Sequence, residues 1–481
     1  MASLSDKVHS TEDLDLVIVG AGISGINVAY YLQTGLPHAK FTILEGRNDI
    51  GGTWDLFRYP GARSDSDLYT YGFSWHPWPY SNPIVEGPLI IEYLKTCISQ
   101  YGIDNHIQFR HNVVSMNWSS KAQRWTLIAN NDGLIKEYRA KFIVLGTGYY
   151  DYQAARQTTI PGLDGFQGQV INPQFWPEEL DYTGKKMVVI GSGATAITLL
   201  PSLSDRAAKV TMVQRSPSYI AAVPNNDPSP GWMRPYQRWW YAICSWLLVL
   251  FCTYYPTYAR KFFRNKTLPQ LPKSLGLDPD FSPRYYPWQQ RLCFAPDGDF
   301  YKVLHGPKAS IVTGAIKQVT DHAVEMQDGQ IIDADIIVTA TGLKVQLGGK
   351  IDIRVDGEKM DWRGRVIWNA AMIQDIPNMF FVVGYTKASW TLLADNNAMV
   401  LLRLLKTMES RGARSATPRV PKGTTMEYEP FWPLTSTYTR EIEPMLPKYG
   451  TVGPWRRWAN PPADYVYARW GNITDGLSFS V

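Results

Sequence analysis

Two stretches of the chain share one arrangement of apolar and small positions. Leu16–Ile26 reads LVIVGAGISGI, and Met187–Ile197 reads MVVIGSGATAI. In each, a β-branched run stops at a glycine and passes into small residues suited to opening a helix, which predicts a buried strand, a tight turn and a helix. A second apolar run follows each unit: FTILE, Phe41–Glu45, and KVTMVQR, Lys209–Arg215. Further on, each half places an Asp-Gly pair between apolar runs. WTLIANNDGLIKEY leads into KFIVLGTG, and HAVEMQDGQIID leads into ADIIVTATG. Both predict a hairpin and then a buried strand ending in glycine. One α/β plan is used twice.

The glycines suggest what the plan is for. Gly20, Gly22 and Gly25 fit G-x-G-x-x-G, in which the chain turns sharply, its backbone approaches a pyrophosphate, and the next helix offers free N–H groups. Glu45 ends the second strand about 20 residues later, where the motif has its ribose-binding acid. In the second copy Gly191, Ser192, Gly193, Ala194, Thr195 and Ala196 form the turn, with Ala196 in the third glycine's place. Its following strand ends in Gln214 and Arg215 instead of an acid. A guanidinium there suits a 2′-phosphate, through charge-assisted bonds of roughly 1.5–3 kcal/mol. The first site therefore reads as FAD or NAD and the second as NADP; the alternative is NAD beside a solvated Arg215. Two dinucleotides in one chain imply that one passes electrons to the other, the logic of a pyridine-nucleotide-dependent flavoprotein.

Composition narrows this further. A chain of 481 residues, 45% hydrophobic, can bury two or three cores, and a net charge of +5 over that length is no nucleic-acid signature. Cys97, Cys244, Cys252 and Cys293 form no C-x-x-C pair and no zinc spacing, and the seven histidines show no ligand pattern. That argues against a disulfide framework, a metal site and the dithiol reductases that share this plan. The start, MASLSDKVHSTEDLD, lacks an apolar signal core and reads as cytosolic.

Two further stretches resemble a known family. GGTWDLFRYPGARSD, Gly51–Asp65, is similar to the [AG]-G-x-W-x-x-x-x-[FY]-P-G-x-x-x-D sequence of type I Baeyer-Villiger monooxygenases, which are class B flavoprotein monooxygenases. FQGQVINPQFWP, Phe166–Pro177, resembles their F-x-G-x-x-x-H-x-x-x-W-P fingerprint, with Asn172 in the histidine place. The resemblance spans nearly the whole chain and is nearest to the ethionamide-activating branch, where Lys387 is usually Asn. Trp176 and Pro177 favour the Baeyer-Villiger branch over the neighbouring flavin-containing monooxygenases.

The resemblance implies FAD and NADPH as cofactors and O2 as co-substrate. In the family, NADPH reduces FAD, oxygen adds to the reduced flavin, and the flavin peroxide attacks a carbonyl carbon to give an ester or lactone. Such chemistry needs a fixed positive charge in a dry pocket. Arg291 in QQRLC matches the family's active-site arginine, and Asp65 the carboxylate that orients it. By the same matching Thr53, Trp54 and Val113 lie against FAD, Tyr71 is a flavin neighbour, and Arg63 and Ser64 face NADP. YTKASWTLL is expected to open a helix whose N-terminus points at the flavin.

The expected architecture is two Rossmann-like dinucleotide-binding domains, the NADP domain inserted in the FAD domain. Residues 1–153 and 343–481 form the FAD part, 154–216 and 295–342 the NADP part, and 217–294 a helical, apolar insertion. Within the insertion the run from Trp239 to Ala259 is uncharged and long enough to span a membrane. A single crossing would put Gly191 and Arg291 on opposite sides of a bilayer, so two readings remain. One is a buried helix or helix pair in a substrate lid; the other is a surface that dips into a membrane. Cytoplasmic localisation fits either. The expected reaction is oxygen insertion beside the carbonyl of a hydrophobic, bulky ketone, with the organic substrate and O2 as small-molecule partners; the alternative is S- or N-oxygenation of a heteroatom substrate. A redox sensor without turnover is a third reading, disfavoured by Asp65 and Arg291.

Overall fold

The computed structural model describes residues 8–481; residues 1–7, on which the cytosolic start partly rests, lie outside them. Two sheets organise the chain. In the larger, Val8–Val19 runs parallel to Phe41–Leu44 on one side and to Leu134–Leu145 on the other, with Leu16 opposite both Phe41 and Phe142. Both faces are covered, which is why these strands are continuous apolar runs: Val17, Ile18 and Ile143 are wholly buried. The first Asp-Gly pair makes the hairpin between Arg124–Asn131 and Leu134–Leu145, with Asp132 and Gly133 at φ 48° and 92°. Positive φ at both central residues is the twist-matched hairpin turn.

Strands from the far end of the chain complete this sheet. Asp352–Val355 pairs with Asn112–Ser119, and Met379–Phe381 with residues 143–145. Between these contributions lies the second sheet, five parallel strands in the order Ala309–Thr313, Lys209–Gln214, Lys186–Ile190, Ile336–Thr339, Gln169–Ile171. The second Asp-Gly hairpin belongs to a separate three-stranded sheet, Ile316–Val319, Ala323–Met326 and Ile331–Asp333.

Six helices bear on the site. α1 (Ile23–Gly35) and α2 (Ala194–Ser204) follow the two glycine turns. α3 (Arg234–Tyr254) and α4 (Pro256–Thr267) belong to the apolar segment. α5 (Trp390–Arg411) packs on α1, and α6 (Pro461–Trp470) packs on α5. The strands Ile220–Val223 and Cys293–Pro296 pair in parallel and bracket α3 and α4, so the boundary expected between 294 and 295 falls inside a strand.

The run Trp239–Ala259 is divided between two helices bent by 117°. Pro256 is the reason: its ring disfavours helical backbone at Tyr255, and it has no N–H to continue α3. Only Gln237 and Cys252 of α3 are buried, so the expectation of a buried lid helix is corrected: the pair lies at the surface. Among the described residues no single helix is long and apolar enough to cross a membrane. α3 is pinned through Arg238, which donates to the carbonyls of Thr70 (2.9 Å) and Gly72 (2.7 Å) and to the Asp395 carboxylate (2.5 Å).

The chain passes between the sheets twice, and the two passages are bonded to each other. Tyr150 bridges Val345, and the Thr158 and Thr341 hydroxyls share a hydrogen bond at 2.5 Å. Asp151 receives Lys350 at 2.7 Å and Lys344 at 2.9 Å. Burial raises the Asp151 carboxyl, but the two lysines outweigh that and hold it at about 2. Asn172, in the fingerprint histidine's place, caps a short helical turn by accepting from the Gln174 N–H at 3.0 Å.

Candidate functional site

A cavity of about 780 Å³ is lined by residues of both glycine turns, Gly20 and Gly22 from the first, Ala194 and Thr195 from the second. Of the other site residues expected from sequence, Glu45, Thr53, Trp54, Arg63, Ser64, Asp65, Tyr71, Val113 and Arg291 also reach it. Gly25, Gly191, Ser192, Gly193, Ala196, Gln214 and Arg215 do not line it.

Their places explain the division. A Cβ on Gly25 would stand 1.9 Å from the Gly20 carbonyl oxygen, so this glycine lets α1 press on its strand. Gly191, at φ +147°, is similarly tight: a Cβ would meet the Ala340 carbonyl oxygen at 2.2 Å. Gly193, at the N-cap of α2, has open space instead. Gln214 is buried and gives its amide protons to Asp280 O and Thr313 Oγ1, both at 2.9 Å, which commits its side-chain donors within the protein. Arg215 is exposed beyond its strand and donates to Thr437 Oγ1 at 3.2 Å.

The first turn fits a dinucleotide. Glu45 is buried and accepts from the Ala21 N–H at 2.7 Å and the Arg47 N–H at 2.9 Å, one bond per oxygen, which leaves lone pairs toward the cavity. Burial pushes its carboxyl up, against those two bonds. Across the cavity Gly52 sits at φ +55°, and a Cβ there would come within 3.4 Å of Gly22 Cα and 3.2 Å of the Tyr152 hydroxyl. Two facing glycines thus keep open a cradle that side chains would narrow. Ser389, the N-cap of α5, lines the same cavity, and its buried hydroxyl has no hydrogen-bond partner among the described residues. A polar ligand edge at the α5 N-terminus would satisfy it. Trp390 fixes this end by donating to Ser24 Oγ of α1 at 2.8 Å.

Arg291 and Asp65 both line the cavity wall, and the charge of the arginine acts on the carboxyl. Arg291 is exposed toward the cavity and donates to the Tyr149 hydroxyl at 3.1 Å; that hydroxyl is bonded to Tyr150. Desolvation raises the Asp65 carboxyl, and the charges of Arg291 and Arg63 work against it. Arg63 clasps Asp299 at 2.5 Å, joining the loop before Asp65 to the short helix Asp299–Val303. Trp54 Nε1 donates to the Tyr71 hydroxyl at 2.9 Å, and Thr53 meets Tyr152 at 3.4 Å. Lys387 is half-buried in the same cavity, and burial, then Arg457, lowers its pKa.

Sequence reasoning missed the tyrosines at 149, 150 and 152, although GTGYYDY stands just after a strand-ending glycine. It also missed Tyr385, which lines the cavity and donates to Asp464 at 2.9 Å. Burial raises the Asp464 carboxyl to about 6, against the bonds from Tyr385 and the Asn460 N–H. A carboxyl raised on folding binds its proton more tightly in the native state, so its contribution is present at low pH and is lost as pH climbs from about 4 through 6. Asp464→Asn keeps an acceptor for both donors. It is expected to raise the denaturation midpoint at pH 7 and leave it unchanged near pH 4, as thermal scans at the two pH values would show.

Residues 14–247 match the family model described as flavin-binding monooxygenase-like. The chain is 42% identical to the FAD-containing monooxygenase EthA of Mycobacterium tuberculosis, with 98% of each chain covered. It is 39% identical to the probable FAD-binding monooxygenase AlmA of Acinetobacter baylyi, over 96% of this chain and 95% of that one. Among solved structures, a cyclohexanone-bound cyclohexanone monooxygenase superposes with a TM-score of 0.75 at 21% identity, covering 98% of this chain and 100% of that one. An oxidized steroid monooxygenase bound to NADP does so with the same TM-score and identity, covering 97% and 99%.

Proposed function

The chain belongs to the flavin-binding monooxygenase-like family, and on that premise we propose that it uses FAD and NADPH to insert one oxygen atom beside the carbonyl of a hydrophobic ketone. The observation that carries this is a single cavity reached by both glycine turns and by Arg291 and Asp65. FAD supplies the activation of O2 when bound, and NADPH the two electrons. The side chains bind, orient and exclude water. N–H groups at the starts of α1 and α2 receive pyrophosphates, and Glu45 keeps acceptor capacity for ribose hydroxyls. Arg291 holds a permanent positive charge at the wall, where it stabilises negative charge that develops on oxygen during the reaction. Asp65 orients that cation. Tyr241 and Leu248 of α3 close one side of the cavity and keep it poor in water.

Lys387 favours a second reading, oxygen transfer to a sulfur or nitrogen. An ammonium whose pKa is lowered by burial gives up its proton readily, and protonated activated oxygen is electrophilic. Incubating a mixture of ketones and sulfides with NADPH and labelled O2 separates the two by mass spectrometry. Labelled ester or lactone supports the first reading, labelled sulfoxide alone supports the second, and NADPH oxidation with no label in any product overturns both.

Arg215 sets an expectation for the electron donor. With no acid at the end of its strand and its guanidinium exposed, the enzyme is expected to prefer NADPH to NADH. Arg215→Ala is expected to reduce the preference by about 10- to 150-fold, the loss of one charge-assisted contact. Steady-state rates with both donors measure it, and equal use by the unaltered enzyme would refute the role of Arg215.

A further inference from the structure

α3 has two faces with different business. Tyr241, Cys244, Ser245 and Leu248 line the cavity. Tyr236, Trp240, Ile243, Leu247 and Tyr254, spaced by three, four and seven, form one stripe on another side and are 65%, 66%, 44%, 52% and 72% exposed. Tyr258 and Phe262 of α4 are exposed as well, and Phe262 meets Phe251 of α3 edge-on at 6.1 Å across the bend. Trp239 meets Tyr465 of α6 edge-on at 4.9 Å, beside the exposed Val466 and Trp470. Contiguous apolar surface of this kind marks a contact site.

Charge says what the contact is with. From residue 228 to residue 277 there is no Asp or Glu, and Lys261 and Lys266 of α4 are exposed. Tyr and Trp with lysines beside them suit the interface of an anionic bilayer, where rings sit at headgroup level and lysines meet lipid charge. A second copy of the chain docked by the same face would bring the lysines of both copies together with no acid to answer them. Against a crossing stands Arg238, which ties the inner side of α3 to Asp395.

We propose that the outer face of α3 and α4 docks on an anionic lipid surface, and that apolar substrate passes from the bilayer along α3 into the cavity. The passage rests on the oxygenase reading; the docking does not.

The test is flotation of the flavin-loaded full-length protein with phosphatidylcholine vesicles, with and without phosphatidylglycerol. The expected result is binding that is stronger on the anionic vesicles. The triple variant Trp240→Ser, Leu247→Ser, Tyr254→Ser is expected to lose at least about a hundredfold in binding. Lys261→Gln and Lys266→Gln are expected to lose about fivefold each on anionic vesicles only. Flavin absorbance and NADPH oxidation without vesicles should be unchanged in every variant, which separates lost docking from lost folding or lost function. No binding to anionic vesicles by the unaltered protein overturns the proposal, as does equal binding by the triple variant. A protein that leaves lipid alone but dimerises, and loses the dimer in the triple variant, would also overturn it and assign the face to a second copy.

Discussion

Arg291→Ala protein mixed with NADPH without oxygen is expected to bleach its flavin at close to the normal rate. On admission of oxygen it is expected to form oxygenated product about 10²- to 10³-fold more slowly, the loss that follows removal of a preorganised charge. The two half-reactions separate because hydride transfer depends on the alignment of two rings, whereas the oxygen step develops negative charge in the cavity that Arg291 lines. Asp65→Ala should fail at the same step but less severely, since the cation remains and only its orientation is lost. Stopped-flow spectra of reduction and reoxidation, with product analysis, give both rates. Wild-type product formation by Arg291→Ala would remove this arginine from the chemistry and direct attention to Lys387, a half-buried lysine on the same cavity.

Asp395→Ala is expected to destabilise the protein by about 3–5 kcal/mol, the cost of removing one partner of a buried ion pair. Arg238 and Asp395 are 11% and 7% exposed, so water cannot replace the missing carboxylate. The guanidinium would keep the carbonyls of Thr70 and Gly72 and the charge of Asp67 nearby, but would lose the carboxylate it is bonded to. Removing both charges at once, Arg238→Met with Asp395→Leu, is expected to recover much of the loss, because neither group is then left buried and unpaired. Urea unfolding of the three proteins compares them, and an unchanged midpoint for Asp395→Ala would show that α3 is held by something other than this pair.

What could be read from sequence follows the physics of each element. Both strand-turn-helix units were legible because their spacing is local: a glycine that lets a helix press on its own strand answers to its near neighbours, as Gly25 does to Gly20. Both Asp-Gly hairpins were legible for the same reason. Arg291 and Asp65 came from resemblance, since nothing local in QQRLC distinguishes a cavity arginine from a surface one. The Arg238–Asp395 pair was not legible, because an arginine at the head of an apolar run looks like a boundary of that run until its distant partner is known. The bend at Pro256 was overlooked beneath the stronger signal of an uncharged segment. The bonds of Gln214 to Asp280 and Thr313 were not legible, because both partners lie far along the chain.

The larger sheet is made from two separated parts of the chain, and this sets an order of assembly during synthesis. Residues 143–145 cannot pair with Met379–Phe381, nor Asn112–Ser119 with Asp352–Val355, until the whole intervening sheet has left the ribosome. All five strands of that second sheet lie between residues 169 and 339, so it can close first. At translation rates of about 5–20 residues per second, the roughly two hundred residues in between leave the first sheet's outer edges open for about 10–40 s. The half of the protein that begins first therefore finishes last, and for that interval its unpaired edges are what a chaperone would have to cover.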